Sequence, residues 1–292
     1  MHIGIHGRYI NEESEPFVFQ VFDEITKRGH QFSITKKFIE TNKKSKIDLS
    51  GYDVIESADQ IKNVDFFFSL GGDGTLLYTV SIVGNLEIPI LGVNLGTLGF
   101  LATTSKSSIS DALNLFFNEK FTIDERVLLH VDSTQDVFKG ENFALNEVAI
   151  VKRDNASMIV AHCYIDNQFV NTYWADGLMV ATPTGSTGYS LSCGGPLVLP
   201  ESDTFIITPV SPHNLNVRPL VVSSSSIISF KIEGKGRNFL TSLDSRSYIV
   251  KNKVKISIRK EAFCAKLIKL VGSNFFDTLR GKLNWGLDNR NY

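Results

Sequence analysis

The sequence has few residues that could build a covalent or metal framework. Its 292 residues include only three cysteines, Cys163, Cys193 and Cys264, which lie far apart and form no CxxC pair. This pattern predicts neither a disulfide framework nor a structural zinc, and it favours a reducing cytoplasm. The six histidines are dispersed without metal-ligand spacing, so we expect no metal held by protein side chains alone.

Other features are also missing. The net charge of −1 gives no basic face for nucleic acid. The first residues lack a basic segment followed by an apolar core, and no uncharged apolar run reaches the roughly 20 residues that span a bilayer. We therefore expect a cytoplasmic protein with no nucleic-acid partner and no membrane anchor.

Two kinds of pattern divide the chain. Residues 1–120 alternate short apolar strands with amphipathic helical segments, which indicates a Rossmann-like α/β domain with a mostly parallel sheet. Residues 121–264 consist of short β-branched segments separated by polar turns, which predicts a β-rich, sandwich-like domain. Residues 265–292 read as one strand and one helix, and we expect them to return to the first domain.

A glycine-rich loop follows the apolar strand that ends at Leu70. Gly71, Gly72 and Gly74 open a predicted helix, and free N–H groups at such a helix start, together with Thr75, can hold phosphate oxygens. The loop is neither a Walker A sequence nor a GxGxxG fingerprint. Asp73 inside it has two functional interpretations, as acceptor of a proton from an attacking hydroxyl or as a helper in holding a divalent cation. The structural alternative is a tight turn that caps the helix.

Two further segments carry polar groups in apolar surroundings. Asn146 and Glu147 interrupt the strand FALNEVAIV, and a buried amide and carboxyl need partners such as ribose hydroxyls. The alternative is an edge-strand bulge with both groups in water. Residues 174–196 contain a loop rich in glycine and hydroxyls, in which Tyr189 can stack on a base. Buried strands flank this loop, which favours a binding role over a flexible linker.

Taken together and in this order, these segments resemble the NAD kinase family (ATP-NAD kinases). The resemblance covers most of the chain. It rests on GGDGTLL at 71–77, LGVNLGTLGFLA at 91–102, LNEV at 145–148, DGLMVATPTGSTGYSLSCGGP at 176–196, PHNLNVRPLVV at 212–222 and FFDTLRGKLNWG at 275–286.

The resemblance implies an activity. Members of the family transfer the γ-phosphoryl group of ATP to the 2′-hydroxyl of the adenosine ribose of NAD, which makes NADP. They require a divalent cation, with Mg²⁺ expected here, and they are usually homodimers or homotetramers. The family pattern differs at a few positions, such as Gly188 and Cys193, where alanine is usual, and Arg246, where glutamine is frequent.

The resemblance also assigns roles to residues. The family's proton acceptor falls on Asp73, beside Gly74. Phe100 falls in a wall of the adenine pocket. The expected NAD contacts are Asp73, Gly74, Phe100, Asn146, Glu147, Ser157, Trp174, Asp176, Thr187, Gly188, Tyr189, Ser190, Leu191, Ser192 and Arg246.

Two alternatives to an NAD kinase remain. A lipid kinase of the diacylglycerol or sphingoid type also carries a GGDGT-like loop, but the segments LNEV and TPTGSTGYSLSCGGP favour a dinucleotide. A nucleotide sensor without catalysis is the second alternative, and the presence of Asp73 with Asn146 and Glu147 argues against it.

Overall fold

The computed structural model of the chain describes residues 1–43, 47–96, 99–153, 158–233 and 238–284. The chain divides into two units. The first comprises Met1–Glu125 together with Ala265–Tyr292, and the second comprises Arg126–Cys264. None of the helices in the described ranges combines the length and the apolar character needed to cross a membrane.

The first unit is built on an open parallel sheet. Its strands are β1 (His2–Gly7), β2 (Gln31–Thr35), β3 (Val54–Ile55), β4 (Phe66–Leu70), β5 (Ile90–Asn94) and β6 (Thr104–Ser105). Its first helices are α1 (Glu15–Lys27), α2 (Lys36–Asn42), α3 (Ala58–Ile61), α4 (Asp73–Val83) and α5 (Ile109–Phe117). The strands lie in the order β3-β2-β1-β4-β5, all parallel. The expected α/β class is therefore confirmed.

Burial explains why these segments fold as they do. Strand β4 is an almost continuous apolar run with Phe67 and Phe68 fully buried, as expected for a central strand covered on both faces. Helix α1 has its apolar residues at helical spacing and buries Val18, Val21 and Ile25 in the same core.

The second unit is almost entirely β-structure. Its strands are β7 (Phe121–Ser133, which starts in the first unit), β8 (Phe143–Ala144), β9 (Glu147–Lys152), β10 (Ile159–Ile165), β11 (Gln168–Ala175), β12 (Gly177–Ala181), β13 (Thr204–Val210), β14 (Leu220–Ser223), β15 (Ile228–Glu233), β16 (Asn238–Leu243) and β17 (Arg246–Lys251). Its helical residues form a short 3₁₀ helix (Thr184–Thr187) and α6 (Tyr189–Ser192).

These strands form two antiparallel layers that share one core. One layer has the order β14-β13-β12-β9-β16-β17. In the other, β10 pairs with β11 and β15, and β15 pairs with the first half of β18 (Lys255–Leu270). Ile150 and Val180 from the first layer belong to the same apolar cluster as Ile159 and Phe230 from the second. The second unit is thus a β-sandwich, as expected.

The end of the chain belongs to the first unit. The second half of β18 runs parallel to β5, with Leu267 opposite Ile90. Helix α7 (Phe275–Leu283) follows, and its N-cap Asn274 accepts a hydrogen bond from Asp277 N–H at 2.8 Å.

Candidate active site

The loop between β4 and α4 requires its glycines. Gly71 has φ +153°, and a Cβ at this position would collide with the side chain of Thr75. Gly72 is the N-cap of α4, and it accepts the N–H groups of Thr75 and Leu76 through its carbonyl. The first N–H groups of the helix therefore point out of its N-terminus without intrahelical partners, as in other helix-terminal anion sites.

Asp73, the first residue of α4, holds a second loop through three hydrogen bonds. Oδ2 accepts the N–H of Phe100 at 2.8 Å, and Oδ1 accepts those of Leu101 and Ala102, each at 3.0 Å. Gly99 permits this approach because a Cβ there would collide with Oδ1. The carboxylate is thus a loop anchor, which no sequence interpretation included.

These three hydrogen bonds do not use every acceptor position of the Asp73 carboxylate. A carboxylate offers about four lone-pair positions. Oδ1 accepts two N–H groups and Oδ2 accepts one. One acceptor position on Oδ2 of Asp73 therefore stays available for a hydroxyl.

In the second unit, Asp244 organises the start of β9. Its carboxylate accepts the N–H groups of Leu145 at 2.9 Å, Asn146 at 2.7 Å and Glu147 at 3.2 Å, and its own N–H donates to the carbonyl of Glu147 at 3.0 Å. Sequence reasoning missed Asp244. Its only signal was its place in the turn of LDSRS, two residues before Arg246.

The Asn146–Glu147 pair has buried polar atoms without partners. Among the described residues, neither Oδ1 of Asn146 nor Oε2 of Glu147 has a hydrogen-bond partner, although both atoms are buried. Gly188 lies in front of them, since a Cβ there would be 3.2 Å from Oε2 of Glu147 and 3.4 Å from Nδ2 of Asn146. Such unpaired buried atoms are costly in a free protein, and the polar groups of a ligand could satisfy them.

Burial and a second carboxylate change the protonation of Glu147. Burial raises its pKa, the negative charge of Asp244 raises it further, and a main-chain hydrogen bond from Tyr189 opposes them, with a resulting pKa of about 8. Glu147 is therefore largely protonated near neutral pH. It can both donate a hydrogen bond to a hydroxyl oxygen and accept one.

The glycine- and hydroxyl-rich loop packs on the same pair. Gly185 lies so close to the carbonyl of Asn146 that a side chain would not fit. Two of the hydroxyls are used inside the unit: Thr187 donates to the carbonyl of Thr184 at 3.1 Å, and Ser190 pairs with Thr208 at 2.8 Å. Tyr189, in contrast, is 41% exposed and can stack on a ligand. Leu191 is half-buried and Ser192 is exposed.

Asp176 acts on the loop electrostatically, because burial mainly raises the pKa of Tyr189 and Asp176 is among the neighbours that raise it further. Asp176 forms an ion pair with Lys152 at 2.7 Å, and Trp174 on β11 is 54% exposed. The guanidinium of Arg246 lies 5.0 Å from the centre of the Phe143 ring and donates to the carbonyls of residues 141 and 143. Ser157 lies outside the described residues.

Within the described ranges, no group of three or more His, Cys, Asp and Glu side chains could hold a metal ion. The carboxylate of Asp73 already accepts three hydrogen bonds from main-chain N–H groups. The described residues thus do not form a metal cage of their own.

The fold and these sites define a class. An open parallel sheet with a glycine loop at a helix start is the architecture of nucleotide-binding α/β proteins. Residues 6–121 match the ATP-NAD kinase N-terminal domain, and residues 145–270 match the ATP-NAD kinase C-terminal domain. The chain belongs to the ATP-NAD kinase family, a family of ATP-dependent phosphotransferases.

Individual relatives agree over the full length. The chain is 47% identical to the NAD kinase of Cytophaga hutchinsonii over 292 residues and 40% identical to that of Christiangramia forsetii over 296 residues, with 100% of both chains covered in each case. A yeast NADH kinase complexed with NADH has a TM-score of 0.86 at 22% identity, covering 99% of this chain and 88% of that one. An Archaeoglobus fulgidus NAD kinase in complex with ATP has a TM-score of 0.74 at 24% identity, covering 96% and 99%. These two structures confirm the fold.

Proposed function

We propose that this chain transfers the γ-phosphoryl group of ATP to the 2′-hydroxyl of the adenosine ribose of NAD, producing NADP and ADP. The observation that carries the proposal is the pair of buried oxygens on Asn146 and Glu147 that have no hydrogen-bond partner among the described residues, in a chain of this family. An amide oxygen and a largely protonated carboxyl can together satisfy the donors and acceptors of vicinal ribose hydroxyls.

The proposed NAD contacts extend from this pair. Tyr189 offers an exposed ring for stacking. Gly188 leaves space in front of Asn146 and Glu147 that a larger side chain would fill. The remaining proposed contacts are Asp73, Gly74, Phe100, Ser157, Trp174, Asp176, Thr187, Ser190, Leu191, Ser192 and Arg246.

Asp73 is the proposed general base. The acceptor position left on Oδ2 takes the proton of the ribose hydroxyl as its oxygen bonds to the γ-phosphorus. The bond between the γ-phosphorus and the bridging β–γ oxygen breaks, and ADP leaves with that oxygen. Phosphoryl transfer needs mostly positioning and charge stabilisation, so the three N–H bonds that hold Asp73 in place support this role.

A divalent cation is expected to enter with the donor. Mg²⁺ keeps several waters and usually binds through substrate phosphates rather than in a cage made of protein side chains alone. The bound cation would offset phosphate charge beside Asp73. The expected homodimer or homotetramer stays a prediction. Sedimentation of the purified protein measures the oligomeric state.

Product formation tests the proposal. Purified protein is incubated with ATP, magnesium and NAD, and NADP is measured with an NADP-specific dehydrogenase; NADH and a diacylglycerol are run in parallel. We expect NADP from NAD. Phosphorylation of the lipid alone would instead support a lipid kinase, and binding without any product would support a nucleotide sensor.

Asp73→Asn tests the base. We expect turnover to fall about 10²–10⁴-fold, equivalent to about 3–5 kcal/mol of transition-state stabilisation. Asp59→Asn is the matched control, because Asp59 is an exposed carboxylate of the same unit paired with Lys62. Near-normal turnover in a folded Asp73→Asn protein would remove Asp73 from the mechanism.

A further inference from the structure

The sheet order of the first unit brings two loops to one place. Strand order runs β3-β2-β1 on one side and β4-β5 on the other, so the direction of progression reverses between β1 and β4. Open α/β sheets bind ligands at the carboxyl ends of the strands at such a switch point. The loop after β4 is the glycine loop, and the loop after β1 begins with Arg8.

Arg8 lies over the N-terminus of α4. Its Nη1 is 3.5 Å from the position that a Cβ would take at Gly74, and apart from the chain neighbours and the backbone of α4 no other atom of the described residues comes within 4 Å of that position. No carboxylate among the described residues forms an ion pair with Arg8. The pKa of His6 falls to about 4, mainly through burial, and the positive charge of Arg8 lowers it further. Arg8 therefore acts on its surroundings as an unneutralised cation.

A buried side chain holds the main chain of the loop that carries Arg8. Asn42, which is 2% exposed, donates from Nδ2 to the carbonyl of Arg8 at 2.9 Å and accepts the N–H of Ile10 at 2.8 Å through Oδ1. One buried amide thus holds the main chain on both sides of residue 9. This fixes where the exposed guanidinium can reach.

A second observation marks the same helix start as a ligand site. Thr75 is 1% exposed, and its Oγ1 has no hydrogen-bond partner among the described residues. That hydroxyl lies against Gly71, inside the glycine loop. A buried hydroxyl without a partner costs stability, so it points to a group that completes the loop when bound.

We propose that Arg8 binds the polyphosphate chain of the phosphoryl donor at the N-terminus of α4, together with the free N–H groups of that helix. The proposal rests on the proposed function and deepens it, because it names a donor-binding residue outside the glycine loop. A guanidinium and a helix N-terminus both favour phosphate oxygens, and they counter the charge of Asp73 in the same loop.

Direct binding of inorganic tripolyphosphate tests the site without catalysis. Calorimetry compares the unaltered protein with Arg8→Met, Arg8→Lys and Arg259→Met, at low and high salt. Arg259 is the matched control, since it is a partly exposed arginine of β18 paired with Asp132 at 3.3 Å. We expect Arg8→Met to weaken binding about tenfold or more, with Arg8→Lys in between, and the difference to shrink at high salt.

Steady-state kinetics then separates donor from acceptor. Arg8→Met should raise KM for ATP by a similar factor and leave KM for NAD unchanged, with the Arg259→Met protein behaving like the unaltered one. Equal tripolyphosphate binding by folded Arg8→Met and unaltered protein would overturn the proposal, as would a failure of the unaltered protein to bind it. Arg8-dependent binding without any NADP formation would support the site and reject the proposed function.

Discussion

Two aspartates, one in each unit, use the same hydrogen-bonding device. Asp73 accepts the N–H groups of residues 100–102, and Asp244 accepts those of residues 145–147. In each case one carboxylate accepts hydrogen bonds from three successive peptide N–H groups. A shared geometry does not mean a shared role, because the surroundings of the two carboxylates differ.

The two carboxylates differ in the charges that surround them. Asp73 is the first residue of α4, at the positive end of the helix dipole, and the next residue, Gly74, lies beside the guanidinium of Arg8. Asp244 lies beside Glu147, and burial is the largest influence raising the pKa of its own carboxyl. Asp244 thus positions residues that are proposed to contact NAD, whereas Asp73 is itself the proposed base.

The largest expected effect on stability comes from removing the anchor in the second unit. Asp244→Ala leaves three N–H groups without an acceptor, at about 1–3 kcal/mol each when fully buried, so we expect a loss of about 3 kcal/mol or more in the free energy of unfolding. Urea unfolding measures it, with exposed Asp132→Ala as the control. A loss below about 1 kcal/mol would mean that Asp244 is not an anchor.

The pH dependence should differ between the units. Glu147 has a folded-state pKa of about 8 against 4.5, so the folded state keeps a proton that the unfolded state releases, and stability is lost as pH rises from 4.5 to 8. His6, with a pKa lowered to about 4 from 6.5, has the opposite sign, and stability is lost as pH falls from 6.5 to 4.

Glu147→Gln should therefore change the dependence of the unfolding free energy on pH on the alkaline side only. In the unaltered protein the two contributions oppose each other between pH 4.5 and 6.5, so the decline due to Glu147 shows between pH 6.5 and 8, with a slope of at most about 1.4 kcal/mol per pH unit. We expect the variant to lose that decline and to keep the loss of stability that His6 causes as pH falls from 6.5 to 4. Denaturant titrations across this range measure both limbs. An unchanged alkaline limb would show that Glu147 is not the group responsible.

A smaller effect is expected from closing the space beside Asp73. Gly99→Ala puts a methyl group where Oδ1 of Asp73 lies, so the carboxylate or the loop must move, at about 1–3 kcal/mol. Gly51→Ala is the control, because its added Cβ would meet no described atom within 4 Å apart from its chain neighbours. We expect Gly99→Ala to reduce turnover as well, and equal behaviour of the two variants would contradict the anchoring role of Asp73.

Sequence patterns could predict only part of this picture. The order of strands and helices and the glycine loop were predictable because they depend on neighbouring residues. The anchors were not, since Asp73 binds residues 27–29 positions away and Asp244 binds residues 97–99 positions away. The place of Arg8 beside Gly74 likewise depends on strand order rather than on a local motif.

The smallest expected effect on stability comes from the hydroxyl of Thr75 in the glycine loop. Thr75→Val keeps the shape of the side chain and removes a hydroxyl that has no partner among the described residues. The free protein should be as stable or more stable by up to about 1 kcal/mol, because no hydrogen bond is lost. Thermal unfolding without ligand measures this. A loss beyond 1 kcal/mol would show that the hydroxyl has a structural partner.

The most direct test of the proposed reaction follows the γ-phosphoryl group from ATP to the dinucleotide product. ATP that carries a heavy-oxygen label on its γ-phosphoryl group is incubated with NAD and the purified protein, and the position of the labelled group in the dinucleotide product is determined from the isotope shift of its resonance in phosphorus NMR. The account predicts label in a 2′-phosphate on the adenosine ribose, formed at a rate that collapses in Asp73→Asn. Label at any other hydroxyl, or equal rates in both proteins, would contradict it.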